Sequence, residues 1–169
     1  MAGMPRRQAL LMVAAIALLV AVLDQASKAW ARGGLTPGHE VTIIPGGLWF
    51  RLASNSGATL GLGTGNNALF AVLTLVIVGA IVVLALRGNA GGVLGLGALG
   101  AVAGGALGNL VDRLRLGAVT DFIEVRYWPT DFNLADAAIR LGVVLFLLAL
   151  LLDWTRRPRR ATLGAGRER

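Results

Sequence analysis

Apolar residues fill four stretches of this chain, and polar residues gather between them or at their ends. The first stretch runs from Gln8 to about Trp30. Its uncharged core "ALLMVAAIALLVAVL" is followed by Asp24 and Lys28. The second, Ala68–Leu86 ("ALFAVLTLVIVGAIVVLAL"), has no charge at all. The third, Gly91–Val111, is glycine-rich and leads into "GNLVDR", and the fourth runs from about Leu134 to Leu152 with Asp136 and Arg140 near its start. Apolar runs of about 20 residues match a hydrocarbon layer about 30 Å thick, so each stretch predicts a transmembrane helix.

Two longer polar connections remain, about residues 31–67 and 112–133. In the first, "VTIIPGGLWFRLASNSGA" alternates Leu48, Phe50 and Leu52 with other residues, and Gly46–Gly47 supplies a turn. That pattern predicts one or two short strands. Trp49 and Phe50 are the aromatic types of membrane interfaces, which puts this loop at the bilayer surface. The following "NSGATLGLGTGNN" is too rich in glycine and asparagine for a regular element. In the second connection, Asp121 follows a turn-like "LGAV" and is expected in a loop. The expected fold is therefore an α-helical integral membrane protein with four transmembrane helices. A small extracytoplasmic β-strand element belongs to its first outer loop. Residues 1–155 form a single domain and 156–169 a basic, disordered cytoplasmic tail.

Composition sharpens this picture. Of the 169 residues, 56% are hydrophobic and 15% charged, against roughly 25% charged in soluble domains. The net charge is +7, and most of the arginines flank the spans: Arg6 and Arg7 ahead of the first, Arg87 after the second, and six from Arg156 onward. The positive-inside rule puts those ends, and both termini, in the cytoplasm. Arg32, Arg51, Arg113, Arg115 and Arg126 lie in the outer loops, so the bias is partial. Charge of this distribution contacts membrane lipids, and no motif accompanies it that would engage nucleic acid. An alternative reading makes residues 1–30 a cleaved signal peptide ending in "AWA", although Asp24 and Lys28 are unusual just before a cleavage site. The chain has no cysteine and a single histidine, His39. Thiol chemistry is excluded, and no metal or cofactor is expected.

Gly100, Gly104 and Gly108 recur every four residues in the third span. Small residues at that spacing let helix backbones approach closely, which fixes the position of the segment from Asn109 to Arg113. Among the acids, Asp136 has two readings. It can be structural: Asn133 caps the fourth helix, Asp136 sits at the third position, and Arg140 at i+4 offers an ion pair. It can instead be chemical, meeting Asp121 at the membrane edge so that the two carboxylates share a proton and act as acid and base on a water. Glu124 and Asp131 read as solvated loop charges and Asp112 as structural. A small proton-coupled transporter or a purely structural membrane subunit are readings from other classes.

Five motifs then stand in order: "VLDQASK" (Val22–Lys28), "NSGA" (Asn55–Ala58), "GGALGNLVDR" (Gly104–Arg113), "VTDF" (Val119–Phe122) and "FNLAD" (Phe132–Asp136). Together they resemble the lipoprotein signal peptidase (signal peptidase II) family over about residues 8–152. The resemblance implies an aspartic endopeptidase of the bacterial cytoplasmic membrane, with its site at the extracytoplasmic face. Such an enzyme cuts signal peptides from diacylglyceryl-modified prolipoproteins just before the lipidated cysteine. It implies Asp121 and Asp136 as the catalytic dyad. Asn109, Arg113, Asn133, Asn55, Gly57, Asp24 and Lys28 would be supporting or substrate-binding residues, and a monomer would suffice for function. Asp24 and Lys28, at i and i+4, are expected to pair at the outer end of the first span.

Overall fold

The computed structural model describes residues 4–57, 66–88 and 90–156. Among the described residues, four helices are long and apolar enough to cross a membrane: α1 (Arg6–Gly34), α2 (Asn67–Arg87), α3 (Gly92–Leu116) and α4 (Leu134–Arg156). The spans are those expected, but α1 and α3 run several residues further into the polar connections. At 29 residues, α1 is about 43 Å long at 1.5 Å per residue and projects beyond a bilayer core. The eight residues 58–65 of the glycine-rich stretch and the tail from 157 on lie outside the described residues.

The helix α3 is the centre of the bundle. In its most apolar window 61% of residues are buried, against 17–22% in the other three helices. Exposed Leu18, Leu19 and Val22 on α1, Val72, Leu75 and Val76 on α2, and Leu141, Val144 and Leu147 on α4 form apolar outer faces suited to lipid. The buried core is correspondingly thin. It is made of small and medium side chains such as Ala9, Val13, Ala17, Ile81, Leu99 and Ala103.

Glycine makes that packing possible. A Cβ on Gly104 would lie 2.5 Å from the Ala17 carbonyl oxygen, and one on Gly100 would lie 2.8 Å from Ile16 Cβ. On the opposite side, a Cβ on Gly105 would come 2.5 Å from the Ala135 carbonyl oxygen, and one on Gly142 2.7 Å from Val102. Thus α3 touches α1 and α4 backbone to backbone, as the four-residue glycine spacing predicts.

At one end of the bundle lies a three-stranded antiparallel sheet in the order β1 (Glu40–Ile44), β2 (Leu48–Asn55) and β3 (Val119–Val125). The first two strands are the predicted element. The third corrects the expectation for Asp121, which lies on a strand rather than in a loop and faces Ala53 of β2. "VTDFIEV" is rich in β-branched residues, but its partners lie 64 to 77 positions upstream, and only tertiary structure supplies them. The turn to β3 is set by Gly117, whose φ of 77° is left-handed and whose N–H closes α3 on the Arg113 carbonyl at 3.1 Å. Trp30, Phe50 and Phe122 pack edge to face, with ring centroids 5.5–6.1 Å apart, and seat the sheet on α1. The helix α1 thus packs into the bundle and against the sheet as one of the four spans, unlike the signal-peptide alternative.

Gly104→Ala is expected to lower stability by about 1–3 kcal/mol, because the added methyl meets backbone that cannot move cheaply. Gly79→Ala, with open space around its Cβ position, should be neutral or slightly stabilising. Thermal unfolding of both variants in detergent makes the comparison.

Candidate active site

The residues singled out in sequence converge where the helical bundle meets the sheet. The fourth helix starts at Leu134, so Asn133 is its cap. The Asn133 Oδ1 accepts the Asp136 N–H at 2.9 Å, and the Ala137 N–H bonds the Asn133 carbonyl at 3.2 Å. The predicted cap is therefore real. The same amide also looks the other way: its Nδ2 donates to Asp121 Oδ1 at 2.6 Å. One fully buried asparagine thus ties the Asp121 carboxylate to the first turn that carries Asp136.

The segment before Asn133 brings it there. Phe132 forms an isolated antiparallel bridge with Ile123, with N–H to carbonyl distances of 3.0 and 2.9 Å. The chain between Val125 and Phe132 therefore folds back on β3, and two acids fifteen positions apart come to share Asn133 as a partner.

Two more amides hold the carboxylates. Asn55 Nδ2 donates to Asp121 Oδ2 at 3.0 Å, while its own Oδ1 accepts the Gly57 N–H at 3.0 Å. Asn109 Nδ2 donates to Asp136 Oδ1 at 2.8 Å. Arg113 donates to the Gly57 carbonyl at 2.9 Å and lies 4.4 Å from the centre of the Phe70 ring. A cavity of about 170 Å³ opens here, lined by Asn55, Gly57, Phe70, Asn109, Arg113, Val119 and Asp136. Asp136 borders the cavity, whereas Asp121 is 2% exposed. Burial, and next the Asp136 charge, push the Asp121 carboxyl up to about 6, and the hydrogen bonds from Asn55 and Asn133 oppose that rise.

Asp24 and Lys28 pair as expected, but enclosed rather than at an interface: they are the most buried charges of the site, both 0% exposed. Lys28 Nζ lies 2.8 Å from Asp24 and 3.4 Å from Asp112, and donates to Asn109 Oδ1 at 2.8 Å. That last bond fixes which way the Asn109 amide points, leaving its NH2 for Asp136. Asp24 Oδ1 in turn accepts the Ala135 N–H at 2.9 Å, satisfying a free donor at the start of α4. Gly108 makes room for this carboxylate, since a Cβ there would sit 2.5 Å from Asp24 Oδ2.

Other expectations change. Glu124 and Asp131 are not free loop charges: both flank Arg51, which reaches the two Asp131 oxygens at 3.0 and 2.9 Å and Glu124 at 3.4 Å. Arg140 lies 5.0 and 5.2 Å from the ring centres of Trp128 and Phe132, so aromatic faces engage the guanidinium expected to pair with Asp136. Asp112, read only as structural, accepts the Thr120 N–H at 2.9 Å and so anchors β3 one residue before Asp121. Local pattern alone does not single out Gln25. It donates to the Gly108 carbonyl and to Asp112 at 3.0 and 3.1 Å, and its place inside "LDQASK" was the available signal.

A profile described as "Signal peptidase (SPase) II" matches residues 16–152. The chain belongs to the signal peptidase II family. Among its relatives, the lipoprotein signal peptidase of Syntrophomonas wolfei is 43% identical over 85% of this chain and 95% of its own length. That of Staphylococcus carnosus is 36% identical over 82% and 89%. A solved structure described as a bacterial membrane enzyme superposes with a TM-score of 0.79 at 30% identity, covering 88% of this chain and 92% of the other. As a family member, the chain is a bacterial membrane protease acting on signal peptides.

Lys28→Met is expected to cost about 3–5 kcal/mol, because it strands the buried Asp24 and Asp112 carboxylates without their cation. Denaturant unfolding in detergent checks the loss. Adding Asp24→Asn to Lys28→Met should recover part of it by removing one uncompensated charge.

Proposed function

We propose that this protein removes signal peptides from diacylglyceryl-modified prolipoproteins, cutting N-terminal to the lipidated cysteine, with Asp121 and Asp136 as an aspartic dyad. The observation that carries this reading is the doubly bonded Asn133, which joins the buried Asp121 to the helix turn bearing the cavity-facing Asp136. Two carboxylates held together in a half-buried setting do not both ionise easily. A single proton is then shared, and its titration belongs to the pair.

The chemistry follows from that proton. Asp121, whose surroundings favour the neutral form, holds it and donates to the scissile carbonyl oxygen as the tetrahedral intermediate forms. Asp136, at the cavity, takes a proton from the attacking water. Asn109 and Asn133 hold the carboxylates in register. The Gly57 carbonyl is already occupied by Arg113, which supports a role for that arginine in shaping the wall next to the extended substrate. Asn55 reaches Asp121 rather than open solvent, so its role is to hold the dyad as well as the strand end.

Topology is proposed on the same footing. Arg6, Arg7 and Arg87 lie on exposed ends of α1 and α2 away from the sheet, and the positive-inside rule assigns that end to the cytoplasm. The site then faces the extracytoplasmic surface of the bacterial cytoplasmic membrane. There a substrate's apolar helix and acyl chains stay in lipid while the scissile bond enters the cavity. One chain supplies every residue named, so a monomer suffices, and residues 1–155 act as one domain.

Asp121→Asn and Asp136→Asn should each lower cleavage of a lipidated prolipoprotein by at least about a thousandfold, with the fold retained. Cleavage at wild-type rate by either variant would sink the dyad. The pH profile carries a sign as well. The proton raised to about 6 on Asp121 is present below that pH and lost above it. The value of kcat/KM is therefore expected to decline as pH rises through about 6 and beyond. A profile flat from about pH 5 to 8 contradicts the assignment of the acid.

A further inference from the structure

The pairing of β2 with β3 slips between Phe50 and Ala53, where three steps on β2 match two on β3. The extra residue bends the strand and re-aims side chains, as bulges beside functional sites do. Arg51 sits in this bulge. Its guanidinium is surrounded by three acids from three different segments: Glu40 of β1 at 3.5 Å, Glu124 of β3 at 3.4 Å, and Asp131 of the return segment. Only Asp131 is engaged closely, with one Nη2 donating to both carboxylate oxygens at 3.0 and 2.9 Å. That carboxylate is also the most enclosed of the three, its side chain 13% exposed against 49% for Glu40.

Asp131 stands two residues before Asn133, the side chain that bonds Asp121 and caps the turn of Asp136. The return segment needs an anchor there. It turns through Tyr127 at φ 65°, a backbone conformation that costs energy for a residue with a side chain. Beyond the turn bond from the Trp128 N–H to the Val125 carbonyl, its backbone hold on β3 is the set of bonds made by Phe132. We infer that Arg51 is a positioning residue: by holding Asp131 it fixes the segment that presents Asn133 to the Asp121 carboxylate and to the Asp136 backbone N–H. The inference rests on the aspartic reading of the site and adds to it a residue outside all five sequence motifs. A surface pair of this kind contributes little to global stability. Its effect is on placement, where a misalignment of about 1 Å at a catalytic centre costs up to about a hundredfold in rate.

The test is steady-state cleavage of a lipidated prolipoprotein in detergent by Arg51→Gln, Asp131→Asn and the double variant, each with its thermal unfolding midpoint. The expected result is a kcat lowered about ten- to a hundredfold in each single variant, with KM and the unfolding midpoint close to wild type. The double variant should be no worse than the poorer single, because both remove the same interaction. Arg51→Lys, which keeps one cationic donor for Asp131, should recover part of kcat. Glu40→Gln, which leaves the Asp131 contact intact, should cleave normally. Wild-type kcat in the single variants, losses that add in the double, losses that follow the unfolding midpoint, or an equal loss in Glu40→Gln each overturn the inference. Asp121→Asn in the same assay separates the two claims. If it is inactive while Arg51→Gln is fully active, only the positioning role falls. If it cleaves normally, the aspartic reading and the inference resting on it fall together.

Discussion

A single buried ammonium organises the end of the bundle where the site lies. Lys28 is the only lysine in the chain, and it is fully enclosed between Asp24, Asp112 and Asn109. A charge in such surroundings is stable only while its partners stay in place. Each partner belongs to a chain of contacts: Asp24 reaches the start of α4, Asp112 reaches the start of β3, and Asn109 reaches Asp136. Three elements that contribute to the site are therefore indexed to one side chain of α1.

That arrangement requires the helices to come close, and their close approach depends on what α3 lacks. The absence of side chains at Gly104, Gly105 and Gly108 lets the Ala17 carbonyl, the Ala135 carbonyl and the Asp24 carboxylate occupy the space where Cβ atoms would otherwise be. In lipid the outer faces of the bundle gain little from packing, so short interhelical distances and internal polar bonds carry more of the specificity. The polar network and the glycine stripe are two halves of one solution. The glycines permit the approach, and the buried ions and amides fix its register.

The site inherits this rigidity on one side and the sheet on the other. Asp121 comes from a strand and Asp136 from a helix, and Asn133 is the joint between them. Asymmetry follows directly: one carboxylate is enclosed with its proton affinity raised, and the other borders a cavity of about 170 Å³. Such a difference in environment is what separates an acid from a base in a pair of identical groups. The proposed water-activating chemistry needs nothing beyond these groups and the amides that hold them.

Much of this was legible in the sequence, for identifiable reasons. Twenty-residue apolar runs are a length match to a bilayer, so the four spans could be read without any tertiary knowledge. The glycine spacing in α3 and the Asn133 cap are equally local, because both depend on helical periodicity alone. The ordered motifs named the polar residues of the site, while periodicity left Asp136 balanced between cap and acid. In the structure it is within reach of both roles, since the N–H that bonds Asn133 and the carboxylate that bonds Asn109 are different atoms of one residue. What local sequence did not determine were the pairings across long separations: β3 against β2, Lys28 against Asn109, Arg51 against Asp131, and Arg140 against aromatic rings rather than Asp136. A short run such as "VTDFIEV" becomes a strand only when another segment offers its backbone, and an exposed-looking acid becomes buried only when a distant cation arrives. The sequence by itself determined the spans, their glycine contact face and the cap. The tertiary structure decided which charges meet, because that depends on how the two polar connections fold over the end of the bundle.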